Sequence, residues 1–262
     1  MLIAQISDTH ITAPNTLAYG VAPMAENLKR CVAHINQLKP RPDVVLVTGD
    51  ISQSGLAIEL EYAASILAEL CMPYYVIPGN HDDRAALWRV FGGQSCPDRA
   101  AGYINYVVDD YDIRLIALDS TVLGEPGGEI CEARADWLDQ CLAQAPTKPT
   151  LIFMHHPPIK FGVIETDIDG FVGADLLTKV VKKYQNIEKI TCGHIHLASN
   201  ARWLNTVVST APSMGMQLVL DLTLSREAFT LATPAFQLHL WRDQQLITHT
   251  VQVESQASYL FE

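Results

Sequence analysis

Seven side chains in this sequence have the chemistry of hard or borderline metal ligands, and their placement repeats. Asp8, Asp50, Asn80, His155 and His194 each follow an apolar, strand-like run: LIAQIS, DVVLVTG, PYYVIPG, TLIFM and EKITCG. His10 and His196 come two residues after the first and the last of them. An Asp-x-His or a His-x-His alone is common, but five such strand ends in one chain argue for one site. Strands covered by helices on both sides read as continuous apolar runs, and side chains just past their carboxyl ends gather in one crevice. Gly49, Gly79 and Gly193 stand immediately before a ligand, where glycine allows a sharp reversal and close backbone approach. Two carboxylates, one amide oxygen and four imidazoles, with no thiolate, suit Zn, Mn, Fe or Co and argue against a structural thiolate zinc. One catalytic ion keeps an open position and needs fewer groups, so two ions sharing a carboxylate fit the count better.

The segments between these strands carry helical periodicity. Leu28, Cys31, Val32, Ile35 and Leu38 predict one face of a helix over 25–39, stopped by Pro40 and Pro42. A second helix is expected over 56–70, burying Leu56, Leu60, Ala63, Leu67 and Leu70. Others are expected near 132–143 and 174–184, and 103–118 reads as a strand pair turning at Asp109-Asp110. The alternation implies an α/β sandwich. From Pro212 to Pro234 the chain is rich in Met, Leu and Thr without a clean period. Beyond it, AFQLHLW and LITHTVQV alternate and predict a hairpin across residues 242–245. The expected organisation is a core over 1–211, a lid or oligomerisation segment over 212–234, and strands completing the core sheet over 235–262.

The set Asp8-x-His10, Gly49-Asp50, Gly79-Asn80-His81-Asp82, His155-His156-Pro157-Pro158 and Gly193-His194-Ile195-His196 resembles the calcineurin-like metallophosphoesterases. It is most similar to their bacterial class III cyclic nucleotide phosphodiesterase and glycerophosphodiesterase branch. The resemblance implies a four-layer αββα sandwich and a dinuclear hydrolase of small phosphodiesters, 3′,5′-cyclic nucleotides or glycerophosphodiesters. It implies one ion held by Asp8, His10, Asp50 and His196, and another by Asp50, Asn80, His155 and His194, with Asp50 as the bridge. His81 would be the catalytic group beside the leaving oxygen. Two divalent ions (Fe, Mn, Zn or Co) about 3.5–4 Å apart would lower the pKa of a bridging water, and the resulting hydroxide would attack phosphorus. The stretch after Gly49-Asp50 is Ile51-Ser52-Gln53-Ser54-Gly55, without the acid and arginine of the phosphoprotein phosphatase branch, which weakens that reading. The rivals are a phosphomonoesterase of the same fold and an inactive interaction scaffold; the intact ligand set and His81 favour the enzyme.

Composition narrows the partners. With 18 basic against 29 acidic residues the chain carries a net charge of −11, and no basic cluster is longer than Lys182-Lys183, so duplex nucleic acid is a poor ligand. An anionic small substrate stays compatible because two divalent ions reverse the local charge. No run of 18 apolar residues predicts a membrane span, and six residues before Ser7 leave no room for a secretory signal. Six scattered cysteines without Cys-x-x-Cys spacing point to a reducing, cytoplasmic compartment. Among other residues, His156 reads as a support to the ligands, Asp119 as a turn or supporting group, and Cys192 as a small apolar strand residue. Asp82 and Asp83 read as a helix start, or Asp82 as the group that orients His81. Arg84 reads as a phosphate contact or a helix-surface group. His34, His239 and His249 read as structural or surface histidines. The pocket wall is expected from loops 11–21 and 159–172 and from 212–234, with Tyr19, Phe161 and Phe171 as candidate stacking groups. The late segment also allows a homo-oligomer, a dimer or larger.

Overall fold

A computed structural model describes residues 1–100, 102–253 and 259. The run β2 (Val44–Thr48) is buried at every position, as expected of a strand covered on both faces. It lies between β1 and β3 in a five-stranded sheet ordered β15 (Gln245–Gln252), β14 (Ala235–Arg242), β1 (Leu2–Ile6), β2, β3 (Tyr74–Ile77). Its partners β1 and β3 run parallel to it, while β14 returns antiparallel to β1. The second sheet has six strands: β10 (Ser199–Trp203), β11 (Thr206–Thr210), β9 (Ile187–Cys192), β7 (Thr150–Phe153), β5 (Arg114–Ala117) and β4 (Tyr106–Val108). Two small pairs complete the strands: β6 (Gly128–Glu129) with β8 (Phe171–Val172), and β12 (Met216–Leu218) with β13 (Phe229–Leu231).

Alternation along the strands divides the core. Leu115, Ala117, Leu151 and Phe153 join the cluster that contains the first sheet, whereas Ile116, Leu118, Ile152 and Met154 face the other way into a second cluster. Into the first cluster pack α1 (Met24–Gln37), α2 (Ala57–Leu67) and α3 (Arg84–Phe91). The second holds α4 (Glu132–Gln144) and α6 (Ala174–Val181), and the short α5 (Ile164–Asp167) lies in the loop between β7 and α6. Contacts between sheets confirm the stacking: Gln5 Nε2 on β1 donates to the Cys192 carbonyl on β9 at 3.0 Å, and the Tyr106 hydroxyl on β4 donates to the Val76 carbonyl on β3 at 2.6 Å. Helix, sheet, sheet and helix form the four layers expected.

The helices start and stop close to expectation, with one correction. Leu56 is 54% exposed and is not part of a buried face, because it precedes α2 in extended conformation with its N–H turned toward the Glu59 carboxylate. Leu70, beyond the end of the helix, is half-buried. The expected late hairpin forms with Arg242 paired to Gln245, so that Asp243 and Gln244 alone make the turn. Within 212–234 the unpatterned stretch holds the β12–β13 hairpin. The expectation for 235–262 covers β14 and β15, while residues 254–258 and 260–262 lie outside the described residues.

Candidate metal centre

The crevice forms because neighbouring strand ends are tied to one another. The amides of Asp8 and His10 donate to the carbonyls of Gly49 (3.1 Å) and Asp50 (2.9 Å), joining the loops after β1 and β2. Gly193 N donates to the His155 carbonyl at 3.0 Å, joining the loops after β9 and β7. The two sheets are then tied together where the His194 amide donates to Asp8 Oδ1 at 2.9 Å. Asp82 accepts from the amides of Ile51, Ser52 and Gly79 at 2.8–3.0 Å, which fixes the Asn80 turn against the Asp50 loop. That settles the role of Asp82, and it does not orient His81: the His81 ring instead donates Nδ1–H to the Gln53 carbonyl at 2.8 Å. Asp83 caps α3 by accepting from Ala86 N at 2.7 Å. A Cβ at Gly79 would land on the Asp50 carboxylate, so only glycine fits there.

All seven expected side chains are brought together. Donor atoms of Asp8, His10, Asp50 and His196 lie within 4.8 Å of one another. On the other side, Asn80 Oδ1 is 3.1 Å from both His155 Nε2 and His194 Nδ1. Between the two groups sits Asp50 Oδ2, 3.7 Å from His10 Nε2 and 3.4 Å from His155 Nε2.

The proton arrangement tests whether cations fit. Backbone carbonyls occupy the outer nitrogens of three imidazoles: Thr48 O takes His155 Nδ1–H (2.7 Å), Met216 O takes His196 Nδ1–H (2.6 Å) and Glu165 O takes His194 Nε2–H (3.3 Å). Each ring therefore turns a lone pair inward, toward other acceptors. His196 Nε2 faces His10 Nε2 at 3.1 Å and Asp8 Oδ1 at 3.5 Å. Asp8 Oδ2 and His10 Nδ1 are buried without a hydrogen-bond partner. Converging acceptors with the protons turned outward need positive charge among them, and the donor set accommodates two divalent ions.

Protonation of the ion-free cluster says the same. Burial opposes charge on His155, yet the Asp50 carboxylate beside it and that of Asp8 raise it to about 9. Burial and the neighbouring His155 push His194 down to about 3, and burial holds His10 well below the usual histidine value. Asp50 is held well below the usual carboxylate range by His155, His81 and His10 despite its burial, whereas burial raises Asp8. His81 is raised by Asp50 and by its bond to Gln53, against the opposing effect of burial.

His156 also reaches the His155–His194 group; its amide donates to Ser120 Oγ (3.1 Å), and its Nδ1 lies 2.9 Å from the same hydroxyl. Asp119 and Arg84 pair with each other, Nε to Oδ2 at 2.6 Å. Arg84 is thus neither a free helix-surface cation nor a phosphate contact, because its guanidinium is held by Asp119 and by Thr121 Oγ1 at 2.7 Å. Cys192 is fully buried in β9, and His239 is buried between Gln5 and Thr248.

The centre opens into a cavity of about 340 Å³. All three expected segments contribute to its wall: Tyr19 from the first loop, Glu165 and Asp169 from the second, Met216, Leu218, Glu227 and Phe229 from the third. Of the three candidate aromatics only Tyr19 lines the cavity. Phe161 and Phe171 pack against the α4–α6 core, and Tyr19 instead meets Phe229, ring centroids 5.4 Å apart. Sequence reasoning missed the wall acids Glu165, Asp169 and Glu227, and no spacing in the sequence ties them together. It also could not name the carbonyls that fix the imidazole tautomers, since backbone groups carry no residue signature.

A four-layer sandwich with a dinuclear-type Asp/His/Asn cluster at its strand ends defines a class of metal-dependent phosphoester hydrolases. The model of the calcineurin-like phosphoesterase family matches residues 1–198, and the chain belongs to that family. It is 38% identical over 253 residues, 95% of this chain and 92% of the relative, to a probable glycerophosphodiester phosphodiesterase GpdQ of Arcobacter nitrofigilis. It is 28% identical, over 82% of this chain and 76% of the relative, to the 3′,5′-cyclic adenosine monophosphate phosphodiesterase CpdA of Escherichia coli. The solved structure of a dimetal phosphatase from Danio rerio superposes with a TM-score of 0.71 at 14% identity, covering 97% of this chain and 96% of that one. Among the described residues no helix is long and apolar enough to cross a membrane.

Proposed function

We propose that this protein is a dinuclear phosphodiesterase in which Asp8, His10, Asp50 and His196 hold one divalent ion and Asp50, Asn80, His155 and His194 the other. The observation that carries this is the inward convergence of imidazole, carboxylate and amide lone pairs around Asp50 Oδ2. When bound, the ions supply Lewis acidity toward the phosphate oxygens and lower the pKa of water. The chain's own residues do the rest. Asp50 sits at the seam of the two donor groups, and the carbonyls of Thr48, Met216 and Glu165 keep three imidazoles in the tautomer that presents a lone pair. His81, held through Nδ1 by Gln53, lines the cavity. We assign it the general acid: as the P–O bond to the leaving group breaks, Nε2 passes its proton to the departing alkoxide oxygen.

The similarity to GpdQ over nearly the whole chain favours a glycerophosphodiester over a cyclic nucleotide as substrate. The nitrogen and oxygen donor set supports Fe, Mn, Zn or Co. Six free thiols support a reducing cytoplasm. Leu220, Leu222 and Leu231 on the 212–234 segment are each more than half exposed, which supports that segment as a homo-oligomer contact. Replacing these three leucines by serine lowers the sedimentation coefficient; an unchanged value ends that reading.

The test of function is hydrolysis of bis(p-nitrophenyl) phosphate and p-nitrophenyl phosphate by chelator-stripped protein with each metal added back. Metal-dependent turnover with the diester preferred is expected. Preference for the monoester makes it a phosphatase, and no turnover with any metal leaves a scaffold. His81→Ala lowers kcat about 10²- to 10⁴-fold on alkyl diesters and less on p-nitrophenyl esters, whose leaving group needs little protonation. Equal losses on both substrates would remove the general-acid role.

A further inference from the structure

Away from the metal centre, the free edges of the two sheets enclose a cavity of about 270 Å³, with β14 and β15 on one side and β9, β10 and β11 on the other. Its wall is mostly polar: Ser199, Ser209, Thr248 and Thr250 line it together with Lys189 and Gln237. A break in alternation aims the lysine there. Ile187 and Ile190 both pack into the outer cluster, and the register of β9 against β7 skips Glu188. The bulge leaves Lys189 paired with Leu151 on the face between the sheets. Lys189 is the one base in the wall. Among the described residues its ammonium donates to Thr248 Oγ1 alone, and no carboxylate acts on it, since burial is the single influence on its pKa. His239, on the far side of Thr248, is kept uncharged by burial and by Lys189 itself. Gln237 is 4% exposed; its Nε2 donates to the Thr210 carbonyl at 2.9 Å, and its Oε1 is buried without a hydrogen-bond partner. A buried ammonium without a counter-ion and a buried amide oxygen without a donor are both costly. One ligand that brings an anionic oxygen and a hydroxyl satisfies both.

We propose that this cavity is a second ligand site, for a phosphate that carries a hydroxyl: free hydrogen phosphate or the monoester of a hydroxyalkyl alcohol. The phosphate oxygens accept from Lys189 and from the serine and threonine hydroxyls, and the ligand hydroxyl donates to Gln237 Oε1. Glu188, which also lines the wall, adds a second acceptor. An anion with no hydrogen to donate, such as acetate, therefore meets acceptors it cannot satisfy. The site uses no metal ion and is independent of the phosphodiesterase reading.

The experiment uses the metal-loaded full chain and reads this site apart from any phosphate at the centre. Lysines are methylated with formaldehyde and cyanoborohydride and scored one by one by peptide mass spectrometry. The Lys189 pKa of about 8 leaves neutral amine to react near neutral pH. Inorganic phosphate is expected to slow labelling of Lys189 about tenfold or more and to leave Lys29 and Lys179 unchanged. Sodium chloride or acetate at equal ionic strength is expected to slow it by less than about twofold. Whichever of inorganic phosphate and glycerol 2-phosphate protects at the lower concentration identifies the source. Calorimetric titration with phosphate is the second measurement, and it decides alone if Lys189 resists labelling. Lys189→Met, with unchanged circular dichroism, is expected to lose one binding event that the unmodified protein shows. Equal labelling in phosphate and chloride, or matching titrations of the two proteins, would overturn the site. Protection by acetate as strong as by phosphate would overturn its assignment to a hydroxyl-bearing phosphate.

Discussion

Asp8, His10, Asp50, His194 and His196 all have positive φ, between 40° and 73°. For residues with a Cβ this left-handed backbone costs on the order of 1–3 kcal/mol each, and its concentration in five of the seven converging residues marks where the fold gives up local comfort to aim side chains. Asn80 is the neutral member of the set. A neutral amide oxygen attracts a cation less than a carboxylate does, so the group formed by Asn80, His155 and His194 should load last. Asn80→Asp is expected to tighten the weaker of two calorimetric metal-binding events about tenfold or more. Equal, tight affinities in the unmodified protein would sink the idea of incomplete loading. The convergence of all seven residues could be expected from the sequence because five follow an apolar run and His10 and His196 come two residues after the first and last of these. Their backbone strain could not, because φ at a strand end is set by what the next loop must meet.

At the scale of elements, the β14–β15 hairpin shows a local rule broken and tolerated. Its turn residues Asp243 and Gln244 both have positive φ, 51° and 58°, the geometry of a turn that favours Asp-Gly or Asn-Gly. Gln244→Gly therefore removes left-handed strain and is expected to stabilise the protein by up to about 1 kcal/mol, after subtracting glycine's greater unfolded-state entropy. A urea midpoint that fails to rise at constant m-value would show the turn is already unstrained. The hairpin itself was legible from alternation. Its facing was not: Gln237 and His239 point between the sheets, where Gln237 Nε2 donates to the Thr210 carbonyl (2.9 Å) and His239 Nε2 meets Gln5 Oε1 (3.0 Å). Alternation separates two faces without saying which is covered; here β14 is largely buried, whereas no position of β15 is.

Across the whole molecule, the space between the sheets changes character. It is apolar around Leu115, Leu151 and Phe153, and polar where Gln5, Thr191, Gln237, His239 and Lys189 meet. Lys189 is 7% exposed and donates to Thr248 Oγ1 across the seam. Burial lowers its pKa from the ordinary 10.5 to about 8. Between those values the unfolded chain holds more protons than the folded one, so this group makes stability rise with pH there. Below about 8 both states are protonated and the full cost of the buried charge remains. Lys189→Met is expected to add about 1–3 kcal/mol of stability at pH 7, with the gap over the unmodified protein closing by pH 10. Urea titrations at pH 7, 8 and 9 read this directly, and a gap independent of pH would show that the lysine sits solvated.

The sequence by itself determined the candidate ligand types, their order along the strands and the helix–strand alternation, because these depend on side-chain chemistry and on periodicities of a few residues. It also placed the wall-forming loops. Only the tertiary structure decided which nitrogen of each imidazole faces inward, that Arg84 is taken by Asp119, and that Glu165, Asp169 and Glu227 share one cavity with Tyr19 and Phe229. Those facts depend on backbone carbonyls and on side chains more than 200 residues apart meeting in space, and no local pattern in the chain encodes such a meeting.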